Sequence, residues 1–331
     1  MDALTRGRSR MRAAGALAAL VLLGGCGALG GEQGPEPGAD GSSGPDTITV
    51  SIMPTTDLAP FHLAVQNGYF ADEGLQVETV TAPSGQASLS KLIGGDVDIA
   101  YSSYTPFFVA QDKGAADLRF VAAASSAGPE TTMVVTVPGS SVRSVADLAG
   151  KRIAVTATNT ISDVLVKTAM RQNGVDPSGV EWISIPFPET APALQRGDVD
   201  AAFLTEPFIT LAERDVGAVP VVDTATGVAE DLPTAGYAAL AGFTDANPEA
   251  VAGFRRALER AVTEARDRSL VEPLLVEHSG IDADVAAGTA LLTFHAAVDP
   301  AQLQRVADLL HENGVTTQRV DAPAMVAAAP S

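Results

Sequence analysis

Cysteine is almost absent from this chain of 331 residues: Cys26 stands alone, and the four His, at 62, 278, 295 and 311, are scattered. A disulfide framework within the chain and a Cys/His metal cluster at recognisable spacing are both excluded. Basic residues are also scarce, 21 Lys and Arg against 40 Asp and Glu, so the formal net charge of -19 repels a phosphate backbone. No nucleic acid partner fits. The sequence contains no G-x-S-x-G elbow, no P-loop, no H-E-x-x-H and no spare Cys nucleophile, which leaves no recognised catalytic constellation. What it has is 46% hydrophobic and 18% charged residues with 31 Gly and 21 Pro, an ordinary globular composition that excludes disorder for the bulk.

The amino terminus reads as an address. Arg6, Arg8, Arg10 and Arg12 precede the uncharged run at 13–25, the n-region and h-region of a secretory signal too short to span a bilayer permanently. Leu23-Gly24-Gly25-Cys26 resembles the lipobox of bacterial lipoproteins, which implies cleavage after residue 25, lipidation of Cys26 and a membrane anchor on the extracytoplasmic face. Residues 26–46 hold seven Gly and three Pro without apolar periodicity and read as a flexible tether.

From Thr47 onward, short β-rich runs alternate with helical patterns, and the same order occurs twice. The first copy predicts strands at 47–53, 75–80 and 97–102 with helices at 59–72 and 85–94. The second predicts strands at 151–157, 180–185 and 199–204 with helices at 161–173 and 190–196. Gln-Asn-Gly recurs at 66–68 and 172–174, and Gly-Asp-Val-Asp at 95–98 and 197–200. Each repeat is good helix-stop or turn chemistry by itself; together, at matching places, they point to duplication. The fold class expected is α/β, two open, mainly parallel sheets. The strands at 132–137 and 234–243 would join the lobes as hinges, with 47–133 and 236–331 forming lobe one and 134–235 lobe two. Further helices are expected at 269–277, 283–295 and 299–312 after the Asn247-Pro248-Glu249 start.

In open α/β sheets a ligand lies beyond the carboxyl ends of the strands. Six loops follow from that rule: 54–58, 81–86 and 101–105 in lobe one, and 156–162, 186–190 and 204–207 in lobe two. None contains Lys or Arg. They carry carboxylates at Asp57, Glu189 and Glu206, near Phe61, Tyr101, Tyr104, Phe107, Phe187, Phe203 and Phe208, a set that suits a flat ring stacked on aromatic faces with an amino group donating to a carboxylate.

Four segments, GYFADEGLQVE (68–78), LIGGDVDIAYSS (92–103), SVADLAGKRIAV (144–155) and LQRGDVDAAFLTEPF (194–208), resemble the solute-binding proteins of bacterial ABC importers in the nitrate/sulfonate/taurine and thiamine-precursor group, of SsuA/THI5-like type. The resemblance implies a two-lobed periplasmic-binding-protein fold of type II that closes on a small solute. It implies an ABC permease and ATPase as partners, no cofactor and no catalysis, and a monomer. Carried over by position, the ligand contacts are Thr55, Thr56 and Asp57; Ser84, Gly85 and Gln86; Ser102, Ser103 and Tyr104; Thr158, Asn159 and Thr160; and Glu189 and Glu206.

Several alternatives stay open. Ser84-Gly85 and Thr160 also fit plain helix caps, Glu206-Pro207 a helix start, and the Phe residues a core. The solute could be a sulfonate, a nitrate-like anion or a pyrimidine-type heterocycle, and the thiamine-precursor relatives include enzymes.

Overall fold

The computed structural model describes residues 46–328, so the expected signal peptide, Cys26 and the tether through residue 45 lie outside the described residues. The first repeat is β1 (Asp46–Ile52), α1 (Ala59–Gln66), α2 (Tyr69–Asp72), β2 (Leu75–Thr81), α3 (Gly85–Gly94), β3 (Ile99–Ser103), α4 (Tyr104–Asp112) and β4 (Leu118–Ser126). After β5 (Thr132–Thr136) the second is β6 (Arg152–Val155), α5 (Ile161–Gln172), β7 (Glu181–Ser184), α6 (Phe187–Arg196), β8 (Ala201–Thr205), α7 (Phe208–Val216) and β9 (Val219–Asp223). Then come β10 (Pro233–Leu240), α8 (Ala241–Ala246), α9 (Pro248–Glu264), α10 (Arg268–Ser279), α11 (Ala283–Gly288), β11 (Thr293–Phe294) and α12 (Pro300–Glu312).

Two separate sheets result, ordered β11-β4-β10-β3-β1-β2 and β7-β6-β8-β5-β9. In each, the three repeat strands are parallel and one antiparallel strand is inserted beside them, β10 in the first sheet and β5 in the second. β4 and β9 then pair with that inserted strand. The two sheets therefore share one strand plan, and the chain passes between them at 127–131 and 224–232. The runs expected as hinge strands are β5 and β10, each inside a sheet.

The repeated tetrads have one structural use in both halves. The Asp98 carboxylate accepts from the Thr49 N–H at 2.8 Å, and that of Asp200 from the Arg152 N–H at 2.9 Å, each fastening the first strand of its repeat, at mid-length in β1 and at the start of β6. Gly95 and Gly197 end α3 and α6 with φ of +79° and +73°, which favour glycine. The first sheet is covered on one face by α1, α9 and α10, where Phe61, Phe70, Leu258 and Leu274 pack. Its other face packs with α3, α4 and α12 in a core that continues to α5, while α6 and α7 cover the remaining face of the second sheet. The helix expected over 283–295 stops at Gly288, where Thr289 turns to an extended backbone, and Thr293 and Phe294 pair with β4 as a short edge strand. β4, α4, α7 and β9 had no counterpart in the sequence reading.

Candidate functional site

Strand direction decides where a site can be. Because β10 is antiparallel to both β3 and β4, β4 ends on the same edge as β1, β2 and β3. That edge leads into the crossing at 127–131. In the second sheet β5 starts, and β9 ends, on the edge where β6, β7 and β8 end. Both crossings thus join the carboxyl edges of both sheets, and the six loops converge on the space beside them.

Asp57 follows β1 in a 3-10 turn and is half-buried. Its carboxylate accepts from the Ser125 hydroxyl, and Ser125 Oγ lies 2.7 Å from Thr234 Oγ1. Tyr101 places its hydroxyl 3.1 Å from Thr55 Oγ1. Burial pushes the Asp57 carboxyl up, opposed by the Ser125 hydrogen bond, and burial beside this carboxylate raises Tyr101 and Tyr237 well above the ordinary phenol value. Ser125 is the last but one residue of β4, before the first crossing, and Thr234 the second of β10, after the second crossing, so Asp57 is tied to both. Sequence reasoning missed these two; the signal available was a pair of Ser ending the apolar run Val121–Ala124.

Of five side-chain hydroxyls buried without a hydrogen-bond partner among the described residues, three fall in the lobe-one loops, Thr56 Oγ1, Ser102 Oγ and Thr105 Oγ1, on residues 1%, 0% and 2% exposed; the others, Thr168 and Thr316, lie apart in α5 and after α12. Orphaned buried hydroxyls are unfavourable, so their gathering at one edge calls for an explanation. Gly85, the first residue of α3, lets the helix start approach Ser102 closely: a Cβ would fall 2.1 Å from Ser102 Oγ. Ser84 caps α3 by accepting from the Ala87 N–H at 3.2 Å. The N–H groups of Gly85 and Gln86, like those of any helix start, have no intrahelical partner. Ser84 and Gln86 are exposed, and Ser103 is the half-buried N-cap residue of α4.

Tyr104, expected among the contacts, is core. It is 1% exposed, packs edge-on to Phe120, and lies across β10 where a Cβ on Gly236 would come 2.4 Å from its hydroxyl. Phe61, Phe107 and Phe203 are likewise core, at 0%, 0% and 1%.

Lobe two differs. Thr160 and Asp163 form a reciprocal capping box at α5, with the Thr160 N–H donating to Asp163 at 2.7 Å; the fully buried Asp163 side chain also pairs with Lys167 at 2.5 Å. Thr158 and Asn159 are exposed, with Asn159 at φ +57°. Glu189 is exposed in the first turn of α6. Glu206 is buried and committed within the protein. It accepts from the Thr210 N–H at 3.2 Å, the Thr210 hydroxyl at 2.9 Å and the Ala290 N–H at 3.1 Å, so it closes the start of α7 and ties it to the segment after α11. Burial raises its carboxyl. Phe187 and Phe208, the first residues of α6 and α7, stack with centroids 5.1 Å apart and stay half-buried.

Two like-built sheets with their carboxyl edges facing a shared space define a periplasmic-binding-protein fold. Residues 55–268 match the family described as NMT1/THI5 like, and the chain belongs to that family. It is 30% identical over 169 residues to the taurine-binding periplasmic protein of Escherichia coli K12, a match spanning 51% of each chain. It is also 26% identical over 276 residues, 80% of this chain and 82% of the relative, to an E. coli K12 protein named for binding aliphatic sulfonates. The crystal structure of the periplasmic aliphatic sulphonate binding protein SsuA from E. coli matches with a TM-score of 0.72 at 22% identity, over 86% of this chain and 98% of that one. These relatives are binding proteins, not enzymes.

Proposed function

We propose that this protein is the lipid-anchored, extracytoplasmic solute-binding component of an ABC importer, a monomer that captures a small oxyanion-bearing solute without chemical change. Lobe closure at the crossings 127–131 and 224–232 would hold the solute for delivery to a permease driven by an ATPase. The observation carrying this reading is the set of three orphaned hydroxyls, Thr56, Ser102 and Thr105, after β1 and where β3 runs into α4, with Ser102 against the start of α3. Hydroxyls and helix N–H groups donate to an oxyanion without a cationic side chain, which suits loops that lack Lys and Arg. Asp57, with a carboxylate beside this seat, favours a solute that also carries an N–H donor, as taurine does. Family membership and the names of the relatives support a sulfonate over nitrate or a pyrimidine, and the aromatics expected to stack on a heterocycle in lobe one are core.

Isothermal titration of the purified protein with taurine, alkanesulfonates, nitrate and pyrimidines is expected to find a sulfonate binding more tightly than about 10 μM, roughly -7 kcal/mol. Turnover of that solute in the absence of a permease, or failure of every sulfonate to bind, would overturn the reading. Cys26→Ala is expected to abolish acylation and release the protein from the membrane fraction, with unchanged mass and fractionation counting against the anchor.

A further inference from the structure

The two lobes share a strand plan but not an electrostatic one. In lobe two every helix that starts on the cleft edge carries its own acid there: Asp163 at α5, Glu189 at α6 and Glu206 at α7. An anion brought to those helix ends meets a carboxylate whose charge opposes the attraction of the helix start. In lobe one the only such acid is Asp57, in the turn before α1 and held by Ser125; α3 and α4 start with no acid in the first turn, and the orphaned hydroxyls of Ser102 and Thr105 lie there. Lobe two offers the cleft something else. Phe187 and Phe208 open the helices that follow β7 and β8, at the carboxyl edge of the second sheet, where they stack on each other and are each only half-buried.

We infer that lobe one reads the oxyanion head of the solute and that the Phe187–Phe208 platform of lobe two reads its body, which is an aryl or extended apolar group. The inference rests on the oxyanion-binding function proposed above. On closure the partly open rings are covered by the solute, which turns exposed aromatic surface into contact. A bare oxyanion such as nitrate would leave that surface wet and gain nothing from it. The specificity-determining residues are then Phe187 and Phe208, outside the positions carried over from the family as ligand contacts.

The test is titration calorimetry of the purified protein with two probes sharing one head, methanesulfonate and benzenesulfonate. Benzenesulfonate is expected to bind at least about tenfold more tightly. Phe208→Ala and Phe187→Ala should each cut that preference about fivefold or more while methanesulfonate affinity stays within about twofold, which also reports that the variants fold. Phe208→Leu, which keeps apolar volume but loses the ring, should fall between wild type and Phe208→Ala. Equal affinity for the two probes, or a preference untouched by all three variants, overturns the inference and leaves the oxyanion seat standing. If neither probe binds, the oxyanion reading fails and this inference fails with it.

Discussion

Ser102→Ala separates a binding hydroxyl from a structural one. Ser102 Oγ is fully buried, accepts and donates nothing within the protein, and sits against the backbone of Gly85. Removing it takes away an unsatisfied polar group, so the stability of the free protein should hold or rise by up to about 1 kcal/mol. If the hydroxyl donates to a charged oxyanion, its loss removes about 1.5–3 kcal/mol of binding, roughly a ten- to hundredfold rise in Kd. Ser88→Ala is the matched control. Ser88 is equally buried, but its hydroxyl donates to the Tyr101 carbonyl at 2.6 Å and pairs with Ser51, so that variant should lose about 1 kcal/mol of stability by the ordinary hydrogen-bond value. Urea unfolding and calorimetry with the tightest sulfonate read both quantities on both variants. If Ser102→Ala destabilises as much as Ser88→Ala and binds the sulfonate as well as wild type, the orphaned hydroxyls are packing features and the argument for the seat fails.

Three further outcomes are expected. Gly236→Ala drives a Cβ to within 2.4 Å of the Tyr104 hydroxyl and 2.7 Å of its ring, so urea unfolding should show a loss of about 1–3 kcal/mol, recovered in part by adding Tyr104→Phe. Glu206→Ala leaves the Thr210 and Ala290 N–H groups without their acceptor and should cost about 1–3 kcal/mol of stability, with sulfonate Kd unchanged; a large rise in Kd at unchanged stability would return Glu206 to the ligand. His62 stacks on His278 with centroids 3.6 Å apart, and burial first, then His278, lowers its pKa from 6.5 to about 4. Between those values the unfolded chain holds more protons than the folded one, so stability should fall as pH drops from about 6.5 toward 4, by roughly 2–3 kcal/mol, and His62→Gln should flatten that slope.

The repeat was legible because its punctuation is local. Gly95 and Gly197 stop helices through their own backbone angles, and Asp98 and Asp200 fasten a strand only one element away in the sheet. The strand plan built on them could then be read in order. Membership of β5 and β10 was not legible, because neither the β-branched run of β5 nor the alanine-rich run of β10 marks which sheet it joins, and the choice depends on what lies beside it after folding. The same limit governs the site. Glu206 looks like a cleft acid until its partner Ala290, 84 residues away, is seen to occupy it. Tyr104 stands one residue beyond β3, as a ligand contact would, yet its ring is drawn across β10 by the space Gly236 leaves. Ser125 and Thr234 are common residue types at ordinary strand ends, and only their convergence on Asp57 distinguishes them.

The chain's acidity, which excluded nucleic acid, bears on the solute as well. A formal charge of -19 repels an incoming sulfonate, and the seat proposed for it is built from neutral donors with no Lys or Arg in the six loops to steer it. Long-range repulsion acts on the encounter, whereas the hydroxyl and N–H contacts act only at closest approach and hold the solute once it has arrived. Salt screens the first over about 10 Å at 0.1 M and hardly touches the second. Stopped-flow association should therefore speed up as ionic strength rises, with the dissociation rate nearly constant. Association that slows with salt would mean a positive local field at the cleft mouth, and then a cationic side chain outside the six loops, not the orphaned hydroxyls, would have to be the principal partner of the oxyanion.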